Sequence, residues 1–471
     1  MIEKRTKIIT TIGPASESKE VMGKLFDAGM TTIRMNFSHG DHIEQGPRIV
    51  TAREISKEKG KPISLMLDTK GPEIRIGKMK DGVQEIAENE IVTIYTDADS
   101  YKNREGTTTS FTTAYDMSID LEIGKIVLVD DGKLVLDVTD VKPGVILAKT
   151  RNHHILKNNK RINLPGTKFS MAFLADQDRA DIRFGAKQGV DFIAASFVNT
   201  PEDIKEIRTI LKEEKAEEIL IYSKIESQYA VDHFDEILKV TDGVMVARGD
   251  LGLEIPYYKV PGAQKMMIRK CRKAGKPVIV ATQMLDSMES TPYPTRAEVT
   301  DVYFATELGA DATMLSGESA AGDFPVEAVK VMAKINETAE VDFYNKLFYK
   351  VQLDEVAKAS TGQRAVIAEM IARKAISSEY KFAVVLSSTG ALLKEVAKFR
   401  PNLAILGVVA DPKQITKFGI TSSVFVFPET SMFTTIKENL NAAKNVATRF
   451  NGKLGDKILV VQNDKISELT L

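Results

Sequence analysis

The sequence predicts an α/β protein: a (β/α)8 TIM barrel carrying an inserted all-β lid domain and followed by a C-terminal open α/β domain. Three observations carry this. Eight short apolar runs, each ending in polar residues, recur along the chain and are separated mostly by helix-like stretches. Between the third and fourth runs the helical rhythm gives way to strand-like alternation. Beyond about Asp354 a fresh set of strand and helix patterns begins.

The eight runs are 7–13, 31–37, 63–70, 191–197, 219–226, 243–250, 277–283 and 312–318. Their near-continuous Val, Ile, Ala and Met content fits strands buried on both faces, as in a parallel sheet. The helices between them show start signals. After 191–197, Thr200 can cap a helix that opens with Pro201, with Glu202 and Asp203 favouring the dipole. Ile204, Ile207 and Leu211 then share one apolar face.

From Gly71 to about Lys168, Ile91–Tyr95 and 125–141 read as strands, and Asp131-Gly132 is a hairpin signal. The C-terminal unit begins with a helix apolar at Ile367, Met370 and Ile371, followed by strands at 382–386, Ala404–Val409, 424–427 and 458–461. The expected domains are therefore residues 1–70 with 169–345 (barrel), 71–168 (lid) and 354–471 (C-terminal unit). At ~150 residues per domain, 471 residues agree with three domains.

Composition narrows the function. The chain has 64 basic and 65 acidic side chains, a net charge of -1, which argues against bulk nucleic-acid binding. Cys271 is the single cysteine, so intramolecular disulfides and thiolate metal clusters are excluded, and a reducing, cytoplasmic setting is expected. No signal peptide or membrane span is visible. P-loop, dinucleotide and nucleophile-elbow motifs do not occur.

Barrel active sites lie at the C-terminal ends of the strands. The residues expected there are Arg34, Asn36, Ser38, His39, Asp68, Lys70, Ser196, Lys224, Glu226, Arg248, Asp250, Thr282, Ser316 and Glu318. Several are spaced i, i+2, which puts both side chains on one side of an extended strand end. Lys224, preceded by Ile219, Leu220, Ile221 and Tyr222, must be desolvated or paired. The competing bland reading is a structural Lys224–Glu226 ion pair. Glu226 and Asp250 together suit Mg²⁺, which takes a few carboxylates and keeps positions for water and substrate. Of the histidines, His39 alone falls on the rim; His42, His153, His154 and His233 read as structural or surface residues. Cys271 reads as a small helical or buried residue.

At these residues the sequence resembles pyruvate kinase. The carrying stretches are Ile33-Arg34-Met35-Asn36-Phe37-Ser38-His39-Gly40, Leu67-Asp68-Thr69-Lys70-Gly71-Pro72-Glu73-Ile74-Arg75 and Asn163-Leu164-Pro165-Gly166. Further along come Ser223-Lys224-Ile225-Glu226, Arg248-Gly249-Asp250-Leu251-Gly252, Ala281-Thr282-Gln283-Met284-Leu285 and Met314-Leu315-Ser316-Gly317-Glu318. They run in family order across roughly Lys7 to Pro325.

The resemblance implies phosphoryl transfer from phosphoenolpyruvate to ADP, giving pyruvate and ATP in the cytoplasm. It implies that Lys224, with Arg34, stabilises the transferring group. Glu226 and Asp250 would hold Mg²⁺ (or Mn²⁺), and amides near Gly249-Asp250, with Thr282, would receive the substrate carboxylate. Thr282 and Ser316 would relay a proton through water to the enolate. Asn36, Ser38, Asp68 and Thr69 match a K⁺ site, and Glu73 matches the acidic residue associated with K⁺ dependence. Arg34, Asn36, His39, Arg75 and Lys160 would meet nucleotide or phosphate, Lys160 when the inserted domain closes as a lid. A homotetramer is implied, and neither nucleic acid nor membrane as partner.

Departures from the family pattern stand at Ser227, Tyr229, Asn199, Ser319 and Arg161, the last where Gly is frequent. Leu386-Ser387-Ser388-Thr389-Gly390 resembles the start of an effector phosphate loop, but Ala391-Leu392 lack its hydroxyls and Gln462-Asn463-Asp464-Lys465-Ile466 lacks the Gly/Thr-rich loop. Both argue against fructose bisphosphate activation. Two other readings compete: a barrel aldolase with Lys224 as Schiff-base nucleophile, and a non-catalytic effector-binding scaffold.

Overall fold

The computed structural model describes residues 4–168, 170–345, 347–428, 436–462 and 465–471, with the side chains of 348, 428 and 436–438 left out. Residues 1–3, used in reading the N-terminus, and Asn463-Asp464 of the final segment lie outside the described residues.

Eight parallel strands close a barrel: β1 (Lys7–Thr11), β2 (Thr32–Asn36), β3 (Ser64–Asp68), β4 (Phe192–Ala195), β5 (Leu220–Ile225), β6 (Gly243–Ala247), β7 (Val278–Ala281) and β8 (Ala312–Leu315). β1 pairs with both β2 and β8, which leaves no edge. Each strand falls within a predicted run and stops short of its end, and β3 to β8 stop before that run's last polar residues, because those rim residues leave the ladder. Inward side chains fill the barrel: Ile9, Met66, Phe192, Tyr222, Met245 and Met314 form one buried cluster. The Tyr222 ring fits because β6 opens with Gly243, where a Cβ would collide with it. The outward faces pack on the helices. In one of these, Pro201–Glu213, Thr200 stands at the N-cap and Asp203 Oδ2 accepts the amides of Asn199 and Thr200, each at 2.8 Å. Ile204, Ile207 and Leu211 are buried as the pattern predicts.

The insertion after β3 is a seven-stranded, largely antiparallel sheet with a separate two-stranded ribbon. The predicted strand over 125–141 is a hairpin of Ile126–Val129 and Leu134–Lys142. Its turn puts Asp130, Asp131 and Gly132 in left-handed conformations, at φ 53°, 57° and 79°. A short helix, Ala98–Asn103, lies between its strands.

The C-terminal sheet has five strands in the order Val424–Pro428, Ala404–Val409, Tyr380–Leu386, Lys457–Gln462 and Lys465–Thr470. Two details differ from the sequence expectation. Met370 is 48% exposed, so Ile367 and Ile371 bury the helix face without it. The last strand, antiparallel and mostly exposed, was not predicted, because an edge strand with one solvated face carries no apolar run.

This domain closes the N-terminal end of the barrel. Ile420 joins the interior cluster, Lys7 Nζ donates to the Val424 carbonyl at 2.6 Å, and the Ser422 amide donates to Asp311 Oδ1 at 3.1 Å. The opposite end, where β1 to β8 terminate, faces the inserted domain. Cys271 is buried on the helix Val260–Ala274. Among the described residues no helix is long and apolar enough to cross a membrane.

Candidate functional site

The strand ends deliver charge into buried surroundings, with Arg34 7%, Asp68 0%, Lys224 8% and Glu226 0% exposed. Arg34, near the end of β2, donates from Nε to Asp68 Oδ2 at 2.6 Å and from Nη1 to Thr11 Oγ1 at 2.9 Å. Lys224, on β5, takes the other carboxylate oxygen: its Nζ lies 3.0 Å from Asp68 Oδ1 and donates to Ser196 Oγ at 2.6 Å. It also lies 3.1 Å from Glu226 Oε1. The predicted alternatives, desolvated or paired, are therefore both realised, and the ion pair of the bland reading is one part of a larger network.

Burial alone would lower the pKa of the Lys224 ammonium, but Asp68 and Glu226 overcome that and raise it. Burial likewise opposes ionisation of Asp68, and Arg34 and Lys224 override it and hold the carboxyl below its usual range. The pair is thus fixed as a charged cation beside a charged anion.

Glu226 is fully buried. Its Oε2 accepts the Phe197 amide at 2.6 Å, and its Oε1 receives no hydrogen bond. Phe197 holds that amide in place from a left-handed conformation, φ 55°, unusual for an aromatic residue. Burial pushes the Glu226 carboxyl up.

Asp250 stands in the first turn of the helix Arg248–Glu254 and is paired with Arg161, which arrives from the inserted domain. Arg161 also lies 3.9 Å from Glu73 Oε1 and 5.0 Å above the Phe197 ring centroid. Despite burial, Asp250, Glu73 and Glu226 keep the Arg161 guanidinium firmly protonated. The carboxylate pair expected to hold a divalent ion therefore faces a positive side chain.

Next to it, Thr282 Oγ1 accepts the Gly249 amide at 2.7 Å and donates to the Ala281 carbonyl at 2.6 Å. Thr282 and Gln283 are left-handed, at φ 69° and 50°, a strained conformation held by Arg248, whose Nη2 donates to the Thr282 carbonyl at 2.6 Å. Ser316 stands at the N-cap position of the short helix Gly317–Ala320, with no capping hydrogen bond from its side chain. Buried Glu318 serves the backbone, accepting the amides of Ser316 at 2.7 Å and Leu285 at 3.1 Å.

On the other side, Asn36 Oδ1 accepts the Ser38 amide at 3.1 Å and Thr69 Oγ1 accepts the Ser196 amide at 3.0 Å. Arg75 is bonded to Glu73 Oε2 at 2.7 Å, one residue removed from Arg161. Two expected residues do not join the cluster. Lys160 Nζ is paired with Asp130 inside the inserted domain at 2.8 Å, and His39 is exposed at the rim. His42, His153, His154 and His233 pair with Asp181, Glu85, Asp130 and the Tyr229 carbonyl, as structural residues. Sequence reasoning missed Arg161 as a site residue; its signal was the substitution of a frequent Gly beside Lys160. It also missed the Phe197 amide, which no side-chain motif reveals.

Comparison with known proteins gives one family. The family model of the pyruvate kinase barrel domain matches residues 3–329. A pyruvate kinase of Staphylococcus epidermidis is 46% identical over 425 residues, which cover 89% of this chain and 71% of that protein. One from Staphylococcus saprophyticus is 42% identical over 461 residues, 97% of this chain and 77% of the relative. A crystal structure of a pyruvate kinase from Cryptosporidium parvum is similar with a TM-score of 0.92 at 34% identity, covering 99% of this chain and 96% of that one.

Proposed function

The chain belongs to the pyruvate kinase family, and from that premise we propose which residues carry its reaction. The activity is transfer of the phosphoryl group of phosphoenolpyruvate to ADP, giving pyruvate and ATP. The observation that carries the assignment is Lys224, a charged ammonium buried among Asp68, Ser196 and Glu226.

Lys224 meets the transferring phosphoryl group and, with Arg34, balances its developing negative charge. In buried surroundings such positioned cations act without solvent reorganisation. The Asp68 anion fixes both cations, so neither must be ordered when substrate arrives. The substrate carboxylate is received at the start of the Arg248–Glu254 helix, whose first amides have no intrahelical acceptor. Thr282 stands beside these amides, its Oγ1 accepting from Gly249, and Thr282 with Ser316 passes a proton through water to the enolate carbon. Arg75, His39 and Asn36 meet the nucleotide. Lys160 reaches its phosphates after leaving Asp130. A Schiff-base role for Lys224 is disfavoured, because the carboxylates keep its amine protonated and non-nucleophilic.

Glu226 and Asp250 fit Mg²⁺ or Mn²⁺. The buried Glu226 Oε1 is met by the Lys224 ammonium at 3.1 Å, Asp250 already attracts a cationic side chain, and both donors are hard oxygens. When bound, the ion neutralises charge on the reacting oxygens. Asn36, Ser38, Asp68 and Thr69 form an all-oxygen set suited to K⁺. The single buried cysteine agrees with a cytoplasmic setting. The assembly is a homotetramer, and sedimentation of the purified enzyme as a monomer would contradict that.

The test of the metal assignment is Mn²⁺ binding followed by electron paramagnetic resonance. Glu226→Gln and Asp250→Asn should each weaken binding at least about tenfold, a loss of ~1.4 kcal/mol. Unchanged binding in both variants would remove these residues from the metal site.

A further inference from the structure

At the opposite end of the barrel from the reaction, a cavity of about 360 Å³ opens between the N-terminal ends of β5 to β8 and the C-terminal domain. Its walls are strongly cationic. Lys239, Arg272 and Lys276 come from the barrel side, and Lys394, Lys398 and Lys417 from the C-terminal domain. A seventh cation, Arg400, also lines it, against two acids, Asp242 and Asp311.

The acids are already engaged. Asp242 is paired with Arg208, and Asp311 lies 2.7 Å from Arg400 Nη2. Lys276 is bonded to three backbone carbonyls, those of Leu238, Lys239 and Thr241. Lys417 lies 3.6 Å from Asp191. Lys239 and Lys394 have no ion pair among the described residues, and Lys398 has only Glu395 at 3.8 Å.

The feature that points to a ligand is Arg272. It is 5% exposed, and among the described residues neither Nε nor Nη1 finds a hydrogen-bond acceptor. One face of its guanidinium lies 4.9 Å from the Phe343 ring centroid, which is not an acceptor for those N–H groups. A buried, unpaired guanidinium is costly, and burial with the neighbouring Arg400 lowers its pKa to about 9. An anion in the cavity would compensate the charge of this guanidinium, which lines it, and the cavity's volume falls within the range of small-ligand pockets.

We propose that this cleft is a binding site for a small phosphorylated metabolite, with the phosphate on Arg272 and Lys394 and Lys398 closing over it. Because its walls belong to both the barrel and the C-terminal domain, a bound phosphate ties the two together. It is therefore a route by which a ligand remote from the strand-end rim stabilises the docked arrangement. The site is independent of the assignment of the catalytic residues.

The probe is inorganic phosphate, titrated into the full-length enzyme at constant ionic strength set with chloride. Binding is read by calorimetry and by the thermal unfolding midpoint. Phosphate also enters the catalytic pocket, so the titration is made in the Lys224→Met background and repeated with Arg272→Met added. Saturable binding that raises the midpoint, and that weakens at least tenfold with Arg272→Met, is the expected result. Should Arg272→Met fail to fold, the pair Lys394→Ala/Lys398→Ala takes its place and should weaken binding by a similar factor. With Lys224 intact, turnover of the Lys394→Ala/Lys398→Ala enzyme in phosphate-free buffer should equal wild type. Absence of saturable binding, or binding unaltered in both variants, would overturn the proposal.

Discussion

Arg161 of the inserted domain and Asp250 of the barrel, 89 residues apart in sequence, form an ion pair across the mouth of the catalytic pocket. The same domain makes a second polar contact with that barrel helix, Asn163 Nδ2 donating to Glu254 Oε1 at 3.3 Å. The guanidinium thus occupies the charge environment that Glu226 and Asp250 offer a divalent ion. On the proposed metal assignment, entry of the ion would require Arg161 to move aside. Replacing Arg161 with Gly removes this internal competitor. Arg161→Gly should bind Mn²⁺ roughly tenfold more tightly without substrates, ~1.4 kcal/mol. Equal affinity in the two proteins would show that Arg161 does not compete.

Glu254 gives a pH signature. It is buried, and desolvation, only partly offset by Asn163 and Arg161, pushes its carboxyl up to about 7. The folded protein therefore holds a proton that the unfolded chain releases near pH 4.5, the carboxyl's ordinary value. Stability from this group is full below that pH and is lost as pH rises toward 7. Across that window the loss is on the order of 3 kcal/mol. Glu254→Gln should reduce the decline in unfolding midpoint between pH 5 and pH 8. An identical decline in wild type and variant would refute the assignment.

The K⁺ site proposed at Asn36, Ser38, Asp68 and Thr69 predicts K⁺ dependence. Asp68 also pairs with Arg34 and Lys224, so a K⁺ ion there adds to the positive charge those two cations already present to the substrate. Replacing K⁺ with tetramethylammonium, which is too large for an oxygen cage, should lower kcat at least about tenfold, ~1.4 kcal/mol in the barrier. Undiminished kcat would contradict the K⁺ site.

Much of this was legible because barrel closure makes strand ends converge. Arg34, Asp68, Lys224, Glu226 and Asp250 lie near or just beyond the ends of their strands, so local spacing located them. Arg161 was not legible in that way. Its partner is in another domain, and only the structure reports which carboxylate a lid residue meets. The pairing of Lys160 with Asp130 was hidden for the same reason, since nothing local to Lys160 signals it. Phe197 contributes a backbone amide, invisible to any reading of side-chain type. The edge strand Lys465–Thr470 escaped because solvated edges do not display apolar periodicity, and Met370 misled because a flexible apolar residue is tolerated on an exposed helix face.

The most direct test of the whole account is ADP-dependent formation of pyruvate from phosphoenolpyruvate, with Mg²⁺ and K⁺ present, comparing wild type with Lys224→Met. The wild type should turn over. The variant should keep its far-ultraviolet circular dichroism, because Arg34 and Ser196 still contact Asp68, and lose about 10³-fold in kcat. Wild-type turnover in Lys224→Met, or no ADP-dependent pyruvate from the wild type, would contradict it.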